Sequence, residues 1–220
     1  MLTNYLLTQF LNITGKYNQG ILGPFTGKVG SVVGSSWKGV NYIKSLPGPN
    51  ASNTEAQQKQ RTRFKSVVSL ASSLMESLIR PVWNLVGGKM TGYNLFVKTN
   101  MPAFDESGAL VNYSDFHASV GALPLPENLS VHDDANVISG IELPWKDDSA
   151  TGIGNADDKL HLLVMTEDSV HILNTASVRS DEAAEITLPV PAGDVHVYAF
   201  FGTADGDKFS ADFYSLVVLS

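Results

Sequence analysis

Residues 20–47 read GILGPFTGKVGSVVGSSWKGVNYIKSLP. Glycines at 20, 23, 27, 30, 34 and 39 are spaced through Val29, Val32, Val33, Trp37, Val40, Tyr42 and Ile43, which are strand formers. This pattern predicts a β-hairpin turning at Lys38-Gly39, with Trp37 opposite Val40, Ser35 opposite Tyr42 and Gly34 opposite Ile43. One face of such a hairpin is aromatic and the other nearly bare. Glycine inside a strand weakens it unless another backbone approaches closely, so the small residues predict a surface that lies flat against something the sequence does not name. Gly30, Gly34, Trp37 and Tyr42 are therefore candidate assembly contacts.

Downstream, Pro47-Gly48-Pro49-Asn50 reads as a turn-type linker, and Thr54-Glu55-Ala56-Gln57 has the spacing of a capping box that starts a helix. Phe64, Val67, Val68, Ala71, Leu74, Met75, Leu78 and Ile79 then fall at three-and-four spacing, one apolar stripe on one long helix. Its first turns carry Lys59, Arg61, Arg63 and Lys65, where a helix dipole favours acids. That charge is either a solvated face or a contact face, and Arg61 and Arg63 join the candidate contacts. Pro81 is expected to end or kink the helix, Gly87-Gly88 to break the chain, and Tyr93 to Lys98 to form a short second helix.

From about Asp105 the pattern changes to two-residue alternation punctuated by turn residues. Strands are expected near 116–120, 129–132, 137–145, 159–165, 169–175, 184–189, 194–202 and 208–219. Asp133-Asp134, Asp147-Asp148, Asp157-Asp158 and Asp205-Gly206 mark turns between them. Trp145, closing IELPW before a polar loop and LHLLVM, resembles the pattern of fibronectin type III and immunoglobulin-like domains, a likeness that implies no function. The expected fold class is α+β, mainly β: a glycine-rich hairpin and helices followed by an immunoglobulin- or fibronectin-III-like β-sandwich. The expected divisions are an N-terminal extension (1–19), a hairpin and helical region (20–104) and a sandwich domain (105–220).

Upstream, residues 1–19 carry Leu2, Leu6, Phe10 and Ile13 near helical spacing, without a basic n-region or a small-residue cleavage site. The segment would dock on its own protein, bind a neighbouring copy or stay disordered. No apolar run reaches the length of a membrane helix. The localisation expected is cytoplasmic, or assembly and export by a route other than Sec. Forty-three per cent hydrophobic composition in 220 residues supports an ordinary folded core, and the absence of cysteine excludes disulfides, zinc-thiolate sites and thiol nucleophiles. The net charge of −7 conceals a division: residues 1–100 carry +9 and residues 101–220 carry −16. Such asymmetry predicts an anionic partner for the basic part or mutual attraction of the two parts, within a molecule or between copies.

The segments GILGPFTGKVGSVVGSSWKGVNYIKSLP, QQKQRTRFKSVVSLA (57–71), YNLFVKTN (93–100) and LPVPAGDVHVYAFFGTADGDKFSADFYSLVV together resemble a family of uncharacterised Bacteroidota proteins, a domain of unknown function. The resemblance runs over roughly residues 17–220 and leaves residues 1–16 outside. It implies no activity, substrate or catalytic residue. By analogy only, the N-terminal half also resembles small phage-type structural proteins in which a glycine-rich hairpin precedes a Gln- and Arg-rich helix start.

Candidate chemistry is weak. GPFTGKV (23–29) has three residues rather than four before Gly-Lys, and Val29 where a P-loop needs Ser or Thr. Gly30-Ser31-Val32-Val33-Gly34 misplaces the serine of a nucleophile elbow. His117, His132, His161, His171 and His196 lack paired ligand spacing, and His161 and His171 read as outward or half-buried strand residues. Asp205-Gly206-Asp207 reads as a hairpin turn rather than a calcium loop, and Asp147-Asp148 as solvated acids. Of the rings available for a sugar platform, Trp37, Tyr42, Trp83, Trp145, Tyr198 and Tyr214, Trp145 and Tyr198 are expected in the core and Trp37 exposed. The sequence therefore predicts a non-enzymatic structural or interaction protein without cofactor or metal, associating head to tail with copies of itself as a filament or ring. A carbohydrate- or surface-binding adhesin-like module is the alternative, and a hydrolase with an unrecognised site is the third. Another protein or a glycan is a further potential partner; no nucleic acid and no membrane span are expected.

Overall fold

Lys38 and Gly39 both adopt positive φ, 49° and 83°, the pairing a two-residue type I′ turn requires and one whose twist matches that of the strands it joins. The computed structural model describes residues 15–17, 23–48, 53–152 and 154–220. In it the turn joins β3 (Val32–Trp37) to β4 (Val40–Ser45), with Trp37 paired to Val40, Ser35 to Tyr42 and Gly34 to Ile43. The hairpin is half of a larger element. β1 (Gly15–Tyr17) and β2 (Phe25–Val29) extend it to an antiparallel sheet in the order β1-β2-β3-β4. The remainder of the expected 1–19 extension, and the Pro49-Asn50 half of the expected linker, lie outside the described residues.

The chain divides into a unit of residues 1–53 and a unit of residues 54–220. The larger unit starts at α1 (Glu55–Ser73), whose first turn is capped by Thr54: the Gln57 amide donates to its hydroxyl at 3.4 Å. The helix does not end at Pro81. It widens into a π-helix, Met75–Trp83, in which the Ile79 amide donates to the Leu74 carbonyl at 3.0 Å. Proline has no N–H and its ring crowds the carbonyl four residues back, so a wider turn accommodates Pro81 where an α-turn would break. α2 (Asn84–Val86) follows, and after the expected break at Gly87-Gly88 comes α3 (Gly92–Asn100), capped by Thr91.

Beyond the helices lie β5 (His132–Asp133), β6 (Gly140–Pro144), β7 (Lys159–Met165), β8 (Val170–Val178), β9 (Ala183–Thr187), β10 (Gly193–Gly202) and β11 (Phe213–Leu219). They form a four-stranded sheet, β11-β10-β7-β8, and a three-stranded sheet, β5-β6-β9. With the helices, these strands make an α+β protein with more strand than helix. The strand expected at 116–120 is absent apart from a bridge between Val120 and Ala211. Helix side chains take the place of a ladder there. Asn100 accepts from the His117 amide at 2.7 Å and donates to its carbonyl, and the Trp83 indole donates to the Ala118 carbonyl at 2.8 Å.

Alternation along β7 and β10 distributes apolar side chains to two cores. Leu160, Leu162, Val164, Val195, Val197 and Phe201 pack with Ile141, Leu143 and Trp145 of the three-stranded sheet side. Leu163, Met165, Tyr198 and Phe200 pack instead with Val67, Ala71, Leu78, Trp83 and Phe96 of the helices. Each such residue fully removed from water contributes roughly 1.5–3 kcal/mol. The helical core runs across the boundary expected at 104/105, because the helices cover one face of the sheet that the later residues build; the division falls between Asn53 and Thr54 instead. In the turn between β8 and β9, Arg179 is fully buried. Its Nη1 donates to Asp148 Oδ1 at 2.6 Å and its Nη2 to the Pro124 carbonyl at 2.6 Å, while Nε lies 3.3 Å from Asp158 Oδ2. The Trp145 indole donates to the Arg179 carbonyl at 2.7 Å. This network ties three loops together, and a buried arginine is tolerated because its charge is answered by carboxylates.

Candidate functional site

Cross-strand partners share a face, so the N-terminal register sorts the side chains of its sheet. Lys28, Val33 and Lys44 lie on the same face as Ser35, Tyr42, Trp37 and Val40. Trp37 and Val40 are each 67% exposed and Tyr42 43%, and the Lys38 ammonium sits 4.8 Å from the centre of the Trp37 ring. Ile43, on the opposite face, is exposed as well. Across residues 23–48 no apolar side chain is buried.

The glycines have local explanations. A Cβ on Gly34 would strike the carbonyl oxygen and ring of Phe25, so the close backbone that its small size admits belongs to the same sheet. Gly30 turns β2 into β3 at φ +59° with open space around it. Gly30, Gly34, Trp37 and Tyr42 are therefore brought together in one unit, whereas Arg61 and Arg63 belong to the other. Arg61 is exposed on α1; Arg63 is half-buried and its Nε donates to the Asp105 carbonyl at 3.4 Å. Part of the basic charge on α1 is answered within its own unit, since Lys59 pairs with Glu55 at 3.0 Å and with Glu106 at 2.8 Å. Those bonds hold the Lys59 ammonium above its ordinary pKa, Glu106 foremost.

A second feature was not legible from motifs. An open groove of about 1210 Å³ lies in the larger unit, bounded by Leu70 of α1, the 104–113 segment, the β7–β8 loop and the start of β10. On its floor the Tyr113 ring stacks on His196, centroids 3.5 Å apart and planes 2° apart. His196 Nδ1 is 2.9 Å from the Tyr214 hydroxyl, and the Tyr198 hydroxyl donates to the Tyr113 carbonyl at 2.7 Å. Burial holds the His196 imidazolium below its ordinary pKa and raises the Tyr113 phenol. Glu167, Asp168 and Asp194 are exposed on the rim, and among the described residues no Lys or Arg lines the groove. The one available signal was register: His196, Tyr198 and Tyr214 share a face once β10 pairs with β11 as it does.

The other histidines are dispersed. His117 Nδ1 is 3.1 Å from Asp212 Oδ1, a bond that raises its pKa. His161 bonds Asn174 at 2.9 Å and stacks on Phe200, with its pKa lowered by burial. His132 lies 3.0 Å from the Ser130 hydroxyl. His171 is half-buried on β8, opposite Val164. Asp205 forms the turn expected of it, accepting from Thr203 and from the Asp207 amide. Asp147 bonds the Ser149 amide and hydroxyl, whereas Asp148, expected to be solvated, is buried against Arg179 because it partners that guanidinium. Trp145, Tyr198 and Trp83 are in the cores, so Trp37 and Tyr42 are the exposed members of the expected platform.

Residues 24–215 match the model of a family of unknown function, DUF6266. The chain belongs to this family. Membership joins both units, since the match begins just before β2 and ends within β11. It carries no activity to either the sheet face or the groove. A comparison with curated proteins gives no match. Among the described residues no helix is long and apolar enough to cross a membrane.

Proposed function

We propose that this DUF6266 protein is a non-enzymatic structural protein whose copies associate head to tail through the N-terminal sheet. One observation carries the reading: residues 23–48 bury no apolar side chain, while Trp37, Val40 and Tyr42 stand exposed together on one face of their sheet and Ile43 on the other. A small sheet needs an apolar face covered to be stable, and contiguous exposed apolar surface marks an interaction site. Charge supports unlike faces meeting. Residues 1–53 hold four lysines and no acid, and residues 54–220 hold 11 basic against 22 acidic residues, so the units carry +4 and −11. Contact between unlike faces is heterologous and builds a ring or a filament. In the same reading the two sheets of the larger unit form an immunoglobulin- or fibronectin-III-like sandwich, supported by Trp145 packing edge-on to Phe201 in the shared core. The GxxGPFxGKVGxVVGSSWKGxxYI opening is its family signature, with a Bacteroidota origin.

The test is sedimentation velocity of the full chain over a wide concentration range at low and high salt. The expected result is concentration-dependent growth that slows as salt rises and is reduced, not abolished, because charge steers such contacts while apolar area holds them. A monomer under all these conditions overturns the reading.

A further inference from the structure

We infer that the groove floored by Tyr113 and His196 is the acceptor for the Trp37-Lys38-Gly39-Val40 turn of a neighbouring copy. The inference rests on the head-to-tail reading and names its receiving face. Glu167, Asp168 and Asp194 stand on the groove rim with no cation paired to them among the described residues. Lys28, Lys38 and Lys44 likewise have no carboxylate partner there. Part of the larger unit's charge is answered locally, since Lys59, Arg80, Lys146 and Arg179 pair within it, whereas Lys65, Lys89, Lys98, Lys159 and Lys208 have no carboxylate partner among the described residues. Lys28 and Lys44 thus share a sheet face with the exposed Trp37, Lys38 lies beside its ring, and three unpaired anions stand on the rim of the groove lined by Tyr113 and His196.

Shape agrees with charge. At about 1210 Å³ and open to solvent, the groove exceeds the roughly 300–1,000 Å³ of small-molecule pockets, so it suits a polypeptide turn better than an enclosed metabolite. The hairpin end supplies what such a groove accepts. Trp37 offers a flat apolar ring to the floor, and the Lys38 ammonium beside it reaches the rim carboxylates. The positive φ of Lys38 and Gly39 keeps the turn tight, so the tip enters pre-organised and loses little conformational freedom on docking. Turn and groove are different surfaces of one chain. Each copy can therefore donate once and accept once, which is the requirement for propagation.

Three full-length proteins test the assignment by sedimentation: K38E/K44E, E167K/D194K, and the chain that combines all four reversals. Each two-site reversal should weaken association by about tenfold or more, and the combined chain should recover most of it, because the attraction is restored with opposite sign. Hydrogen exchange on the unaltered protein gives a readout that does not depend on any variant folding. Assembly should slow exchange at both 36–41 and 166–169. Wild-type assembly that E167K/D194K leaves intact, or assembly that protects the turn and not the groove, overturns the acceptor and spares the head-to-tail reading. A chain that stays monomeric overturns both. Binding of a soluble glycan by such a monomer, lost in Tyr113→Ala, gives the groove to a carbohydrate instead and likewise overturns the inference.

Discussion

The protein builds two four-stranded antiparallel sheets and treats their surfaces in opposite ways. In the sheet β11-β10-β7-β8 the central strands β7 and β10 are largely buried on both faces, one against helices and the other against a second sheet. The sheet β1-β2-β3-β4 buries no apolar side chain over residues 23–48. Backbone pairing alone does not distinguish them. The difference lies in what the strands carry: LHLLVM and VHVYAFFG put large apolar residues on both faces, whereas TGKVGSVVGSS supplies glycine and serine in their place. Pairing can be satisfied in either sheet, but only burial of large side chains gives a sheet a core of its own. A sheet with strands and no core depends on what covers it.

The largest contrast should come from truncating one aromatic in each sheet. Phe201→Ala should cost about 3–5 kcal/mol in denaturant unfolding of the larger unit, through lost burial and the cavity left between the sheets. Trp37→Ala should leave that transition within about 0.5 kcal/mol, as exposed substitutions do, while reducing association. If the two variants cost the same in a monomeric sample, the contrast between the sheets is lost.

Gly34→Val should have an intermediate and local effect. The new side chain meets the Phe25 carbonyl and ring, so overpacking of about 1–3 kcal/mol is expected within the N-terminal sheet. Amide exchange over residues 25–45 should accelerate while the main melting transition of the larger unit stays in place. An unchanged exchange pattern would mean that Phe25 moves aside without penalty, and the packing of β2 on β3 would have to be redrawn.

The smallest effect is the response to mild acid, and it should separate the units by composition. Residues 1–53 contain no His, Asp or Glu, so the N-terminal sheet has no side chain that titrates between pH 5 and 7. In the larger unit His117 and His161 should act with opposite sign. The Asp212 bond raises the folded pKa of His117, so its contribution is complete below the ordinary 6.5 and is lost as pH rises through the raised value. Burial lowers that of His161, so its contribution is present above 6.5 and is lost as pH falls through the depressed value. Melting curves of His117→Gln should accordingly lie below wild type at pH 5.5 and approach it at pH 8, by about 1 kcal/mol, because the imidazole is 44% exposed while Asp212 is buried. A gap that widens with pH would reverse the assigned role of Asp212.

Much of this architecture was written in local sequence. The Lys38-Gly39 turn and its pairings followed from turn chemistry plus alternation, and β7 spans the residues that its alternation predicted. The long helix and its Thr54 cap followed from stripe and spacing. These features depend on neighbours a few residues apart, which is why they can be read from the chain. What tertiary structure decided was which surfaces meet. Pro81 reads as a helix stop or kink until a π-turn packed in the core accommodates it. Phe116 to Val120 reads as a strand until Trp83 and Asn100 of the helices bond its backbone. The 104/105 boundary reads as a change of pattern, yet the helices pack on the far face of the later sheet. The stacked Tyr113 and His196 are 83 positions apart and carry no motif. The sequence by itself determined the turns, caps, strand periods and charge division, all short-range or additive properties. Only the folded chain decided which large side chains exclude water together, because burial is a property of pairs of surfaces and no single segment specifies its partner.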